Sequence, residues 1–281
     1  MAQDKYSAVW VSHSSMGDFL TCPRAYFLHN VYKDPKTNHK ISIVNGALSL
    51  GSAVHEVVEG LANFKTEERF DRDLLAQFDE VWKKFEGKKG GFKTKEEELE
   101  AKERGRAMIK RVIEHPGPLK NKTLKLKEGH NGMPPNFFLS DEDNIILCGK
   151  VDWLEYIEDV DGIKVLDFKT GKHDEKEDSL QLPIYTLLLD ALQKRKVVGA
   201  SYWYLDRDDV PKDKPLPTVE EARLKVLEVA KKVKDARMKK EFVCPQGEKG
   251  CFACRPFEKI LKGEAVFLGV GEYNQDMYII E

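Results

Sequence analysis

The sequence predicts an α/β domain, and three observations predict it. Helical spacing dominates the N-terminal 113 residues, strand-like runs occupy the stretch from Phe137 to Thr170, and a long amphipathic helix runs from Thr218 to Lys240. With 281 residues, 41% apolar and 33% charged, the chain has a globular composition and enough length for a substantial core. It is expected to be one domain over residues 1–281, with a helical, basic insertion over 65–130 and a cysteine cluster over 241–258. No apolar run approaches the roughly 18–20 residues that span a bilayer, and the N-terminus lacks a basic-then-apolar signal. A cytoplasmic protein with no membrane partner is expected.

The elements follow in order. A first helix is expected from Ser14 or Ser15, with Ser15 and Asp18 spaced like a capping box and Pro23 kinking or restarting it. A second, starting near Gly51, carries Val54, Val57, Val58 and Leu61 on one face and places His55 and Glu59 together one turn apart. Phe70 to Ile113 is helix-rich, and Gly87–Gly91 within it reads as a mobile loop. Strands then follow: FFLS, the long run IILCGKVDWLEYI, an Asp161–Gly162 turn, and IKVLDFKT, the last two forming an antiparallel hairpin. Ser179–Arg195 is helical with Pro183 in its first turn, ASYWYL is a strand, and AVFLGV with MYIIE forms a terminal hairpin.

The net charge of −2 argues against a protein that coats nucleic acid indiscriminately, but the charge is uneven. Val81–His130 holds 15 Lys/Arg against 8 Asp/Glu, whereas Asn131–Asp190 holds 5 against 14. A basic segment beside an acidic one suits a protein that grips phosphates with one part and holds divalent cations with another. A solvated helical face would give the same count. Lys83, Lys84, Lys88 and Lys89 are the candidate contacts to a DNA backbone.

The chemistry concentrates in the acidic hairpin. Gly149–Lys150–Val151–Asp152 lies on one strand, and Asp167–Phe168–Lys169 on the next. Asp167 and Lys169 are two apart, so on a strand they share a face. Carboxylates from adjacent strands hold a hard cation while leaving positions open for substrate and water, and an ammonium beside them steadies developing phosphate charge. An exposed, salt-bridged hairpin is the competing reading of the same residues.

GKVDWLEY, KVLDFKTGK and QLPIY together resemble the RecB-type branch of the PD-(D/E)XK nucleases, which includes CRISPR-adaptation nucleases and AddB-like iron–sulfur exonucleases. The resemblance implies a restriction-endonuclease-like core, a central mixed β-sheet flanked by helices, with a helical insertion after the first motif helix. It implies a site built from His55, Asp152, Asp167, Lys169, Gln181 and Tyr185, with Mg²⁺ or Mn²⁺ held by His55, Asp152 and Asp167. Val151 stands where the family name has proline. The implied activity is metal-dependent hydrolysis of DNA, as an exonuclease, in repair, recombination or CRISPR adaptation. A non-catalytic end-binding scaffold and an RNA-directed nuclease are the alternatives. The chain has no phosphate-binding P-loop motif, so a helicase or CRISPR-adaptation subunit would be a separate partner.

Of five cysteines, Cys148 sits in an apolar run and reads as a core residue. Cys244, Cys251 and Cys254 are clustered, Cys22 offers a fourth thiol, and in a reducing compartment a metal is the better reading than disulfides. Cys22–Pro23–Arg24–Ala25–Tyr26 is similar to the family context in which one N-terminal and three C-terminal cysteines hold a 4Fe–4S cluster. The C-terminal spacing departs from the usual one, with Ile260 in the last cysteine's place and Cys244 as the substitute. Tetrathiolate sites serve zinc as well as iron–sulfur clusters.

Overall fold

A computed structural model describes residues 4–129 and 132–281; His130, the last residue of the basic stretch, lies outside them. The N-terminal part comprises β1 (Val9–Val11), α1 (His13–Thr21), α2 (Pro23–Tyr26), β2 (Lys40–Ile43), α3 (Gly46–Gly60), α4 (Leu74–Trp82) and α5 (Lys95–Glu114). Then come β3 (Thr123–Leu124), β4 (Asn136–Ser140), β5 (Ile145–Cys148), β6 (Trp153–Ile157), β7 (Gly162–Lys169), α6 (Gln181–Leu192), β8 (Lys196–Tyr204) and β9 (Lys212–Lys214). The chain ends with α7 (Val219–Lys239), α8 (Arg255–Leu261), β10 (Val266–Val270) and β11 (Gln275–Ile279).

A five-stranded mixed sheet in the order β3-β6-β7-β8-β9 forms the centre. β6 and β7 pair antiparallel, as the hairpin pattern predicts, and β7 pairs parallel with β8 through the crossover helix α6. Side chains alternate across this sheet. Leu154, Ile163, Val165 and Ala200 face a core shared with α6 and α7, whereas Trp153, Leu166, Phe168 and Trp203 face one shared with α3, α4 and α5. The restriction-endonuclease-like α/β architecture is therefore present, with helices over both faces. Two three-stranded sheets flank it, β1-β5-β4 and β10-β11-β2.

Several boundaries differ from the sequence reading. IILCGKVDWLEYI is not one strand: β5 belongs to a flanking sheet and β6 to the central one, with Asp152 in the connection just before β6. The break falls at Gly149, where a Cβ would come within 2.9 Å of Leu188 and where the backbone amide turns to the carbonyl of Pro135. Helix α1 is capped by Ser12, and Ser15 is the third helical residue, whose hydroxyl accepts from the Ser12 amide at 2.9 Å. Helix α3 begins at Gly46, capped by Asn45, five residues before the expected start. Gly87–Gly90 forms a 3₁₀ turn closed by Gly91 at φ 79°, so it is a folded corner and not an open loop. A side chain at Gly91 would sit 2.4 Å from the Asn45 Cα, which requires glycine there.

Candidate active site

The sheet brings the acidic residues to the C-terminal end of its central strand. On β7, Asp167 and Lys169 have the parity of Val165, so they project toward α6, and the first turn of α6 meets them. Gln181 Nε2 donates to Asp167 Oδ1 at 2.7 Å, and Tyr185 Oη donates to the same oxygen at 2.7 Å. The amide oxygen of Gln181 accepts from Lys169 Nζ. Lys169 Nζ also lies 2.9 Å from Asp167 Oδ2 and 3.0 Å from Glu175 Oε2. Asp167, Gln181 and Tyr185 are all buried. The four-residue spacing that put Gln181 and Tyr185 on one helical face thus lets both hold one carboxylate.

From the other core, α3 supplies His55 and Glu59. His55 Nδ1 is 2.8 Å from Glu59 Oε1 and 3.6 Å from Asp152 Oδ2. Asp152 Oδ2 accepts the backbone amide of Phe168 at 3.0 Å, which pins the connection before β6 to the strand bearing Asp167 and Lys169. Lys150 Nζ caps the second oxygen of Glu59. One ligand atom each of His55, Glu59 and Asp152 lies within 4.8 Å of the other two.

The electrostatics are those of a cation site. Burial and the neighbouring Asp167 push the Asp152 carboxyl up to about 8. Burial opposes the His55 imidazolium, but the Glu59 hydrogen bond and the charges of Asp152 and Glu59 lift it to about 9. Burial likewise opposes the Lys169 ammonium, and Asp167 and Glu175 outweigh it and raise its value. Asp167 Oδ2 is buried with Lys169 beside it but, among the described residues, no aligned hydrogen-bond donor. Crowded carboxylates, a mixed N/O donor set and an under-satisfied oxygen fit a divalent cation.

The expected residues do not all converge in one group. His55 and Asp152 share a cluster with Glu59, whereas Asp167 is turned to Lys169, Gln181 and Tyr185 and couples to Asp152 through its charge. Glu175, in the run HDEKED, and His13, whose Nε2 lies 3.4 Å from Ser179 Oγ, border Lys169 and were not singled out from sequence. Neither carries a local signal: Glu175 lies on the β7–α6 connection and His13 opens α1, and only the fold sets where each arrives. Lys83 pairs with Glu80, Lys84 with Glu56 and Lys88 with Glu281, and Lys89 lies on the same 3₁₀ turn as Lys88.

A second cluster forms where the chain ends meet. Cys22, Cys244, Cys251 and Cys254 are all buried, with their sulfurs within 4.8 Å of one another and all thiols free. Backbone amides of Ala25, Gln246 and Cys251 point at three of the sulfurs at 3.2–3.4 Å. Burial holds the Cys254 thiol up at about 12, while amides around Cys251 outweigh its burial and bring it down to about 7. Four thiolates this close require a cation to discharge together, so the donor set fits a structural metal or an iron–sulfur cluster. Cys148 stays outside, half-buried, its sulfur 3.5 Å from the Val11 carbonyl.

A mixed sheet whose central strand ends in an acidic, lysine-bearing site suited to a divalent cation defines a metal-centred hydrolase class. The chain matches the PD-(D/E)XK nuclease superfamily over residues 10–257, and it belongs to that family. Nucleases of this superfamily use divalent metals. No curated protein sequence matched the chain. Among the described residues, no helix is long and apolar enough to cross a membrane.

Proposed function

We propose that this protein is a Mg²⁺- or Mn²⁺-dependent deoxyribonuclease of the RecB-type branch, acting as an exonuclease in DNA repair, recombination or CRISPR adaptation. The observation that carries the reading is the meeting of two sets of side chains at the end of the central strand β7: His55 and Glu59 from α3 with Asp152 from the connection before β6, and Asp167 with Lys169 from β7 itself. His55, Asp152 and Asp167 are the assigned metal residues, and Glu59 joins them or orients the imidazole through its hydrogen bond. A bound divalent cation supplies Lewis acidity and lowers the pKa of an attacking water. In hydrolysis the water oxygen bonds to phosphorus, the ester P–O bond breaks, and the leaving oxygen takes up a proton. Lys169, held between Asp167, Glu175 and Gln181, offers its ammonium to the water or to charge growing on the phosphate oxygens. Gln181 and Tyr185 fix Asp167 in one rotamer by donating to the same oxygen.

The cysteine cluster staples the two ends of the chain around this centre. A 4Fe–4S cluster is the assignment that follows from the Cys22–Pro23–Arg24 context. The close sulfurs favour a second reading: a tetrahedral zinc with bonds of about 2.3 Å sets its sulfurs roughly 3.8 Å apart, and Cys251 and Cys254 lie at 3.9 Å. Iron, sulfide and zinc analysis of anaerobically purified protein separates the two.

The test incubates the protein with end-labelled single- and double-stranded DNA in Mg²⁺, Mn²⁺ or EDTA, beside Lys169→Ala. Metal-dependent cleavage that the substitution abolishes, with mononucleotide or short products released from an end, supports the reading. Intact DNA in every lane from folded, metal-replete protein overturns it and points to an end-binding scaffold or to RNA.

A further inference from the structure

We propose that Tyr273, at the tip of the β10–β11 hairpin, is the base-stacking residue of a single-strand subsite leading into the His55–Glu59–Asp152 centre. The proposal rests on the nuclease reading above and names the form in which substrate reaches that site. A cleft of about 460 Å³ opens directly over Glu59 and Asp152, and its walls include Lys125, Lys150 and Tyr273. That volume is of small-ligand size, suited to unstacked nucleotides of one strand and too small for a base-paired duplex.

Tyr273 is placed at this cleft in a way that invites a partner. Tyr273 is 87% exposed, and it lies close enough to Lys150 to feel its charge. The turn carrying it is nonetheless built. Gly271 donates to the Gln275 carbonyl at 2.8 Å, the Tyr273 amide donates to Gln275 Oε1 at 3.0 Å, and Asn274 takes a left-handed φ of 54°. The hairpin is also tied to the element that delivers the metal residues. β11 pairs in parallel with β2, and the buried Asp276 carboxylate is held by Thr37 Oγ1 at 2.7 Å and His39 Nδ1 at 2.8 Å. β2 then leads into α3, which carries His55 and Glu59. An exposed aromatic on a hydrogen-bonded turn, with Lys125 and Lys150 on the walls and a carboxylate-rich cation site at the inner end, combines the stacking surface and cationic groups that bind single strands. Lys125 and Lys150 are engaged by Asn63 and Glu59, neutral and anionic partners that an incoming phosphate competes with. The hairpin lies outside the matched residues 10–257, whereas Glu59, Lys125, Lys150 and Asp152 lie within them.

The test measures binding of a short single-stranded DNA carrying 2-aminopurine, with Mn²⁺, in a Lys169→Ala background that leaves the strand uncut. Tyr273→Ala is expected to weaken binding roughly five- to 150-fold, the range that loss of one base–aromatic stack produces, and to abolish quenching of the stacked base. Tyr273→Phe and Tyr273→Trp are expected to retain both. Equal affinity and quenching in Tyr273→Ala, or an equal loss with duplex DNA of the same sequence, overturns the subsite. If the unsubstituted protein cuts nothing yet binding still depends on Tyr273, the nuclease reading fails while the subsite stands. Cleavage without Tyr273 dependence is the reverse.

Discussion

Replacing Asp152 with asparagine is expected to stabilise the metal-free protein while removing its response to metal. Asp152 is buried beside Asp167, and its carboxyl is pushed up to about 8, against about 3.9 in an unfolded chain. The native state therefore retains a proton that the unfolded chain has released. The penalty is absent below about pH 4, grows as pH rises from about 4 to 8, and is constant above that. At pH 7 the penalty is about 4 kcal/mol, short of the roughly 5–6 kcal/mol reached above pH 8. His55, lifted to about 9 partly by Asp152, acts in the opposite sense: its contribution is present below about 6.5 and lost as pH rises through 9. Losing that partner offsets part of the gain, leaving about 1–3 kcal/mol, or a melting temperature about 2–10 °C higher. Asparagine keeps an oxygen for the Phe168 amide, so the connection before β6 stays in place. A cation at a hundredfold its dissociation constant stabilises the native protein by about 2.7 kcal/mol, which the variant, short of one ligand, largely forgoes. Thermal melts at pH 7 in EDTA and in saturating Mn²⁺ should show the order of the two proteins reversing. A variant that melts lower than wild type in EDTA, or that gains as much from Mn²⁺, refutes the cation-site argument.

Tyr185→Phe removes one of the two donors on Asp167 Oδ1, which is expected to cost about 1.5–3 kcal/mol in urea denaturation and to slow cleavage about tenfold by freeing the carboxylate; unchanged initial rates would count against a positioning role. Cys254→Ser is expected to lose the bound iron or zinc and to loosen both chain ends, read as metal content below stoichiometry and proteolysis near Cys22 and Cys244; full metal occupancy would contradict the four-thiolate site. Asp143 lies 3.0 Å from both Lys231 and Lys234, and these bonds, joining the β4–β5 turn to α7, hold its carboxyl at about 2. Asp143→Asn should cost about 1 kcal/mol near neutrality; because the folded value is depressed, the difference persists above about pH 4 and fades as pH falls toward 2, and a loss independent of pH would refute the ion-pair account.

Much of the site was legible because its signals are local. The period of a strand places Asp167 and Lys169 on one face, and the period of a helix does the same for Gln181 with Tyr185 and for His55 with Glu59. Apolar spacing likewise marked β7, β8, α7 and the terminal hairpin. Periodicity says which residues share a face; it does not say what that face meets.

The sequence by itself determined the α/β class, the side chains able to bind a cation, and the thiols able to bind a second one. Only the tertiary structure decided that the apolar run around Gly149 divides between two sheets, which places Asp152 on a connection and not on a strand. It also brought Glu175 to Lys169, Lys150 to Glu59 and Tyr273 to the cleft. Cys22 reaches Cys244, Cys251 and Cys254 by the same means. β5 (IILC) and β6 (WLEYI) are both short and mostly apolar, and neither run names the strand it pairs with. Their assignment follows from which helices cover each sheet face, a choice made by long-range packing of the whole core.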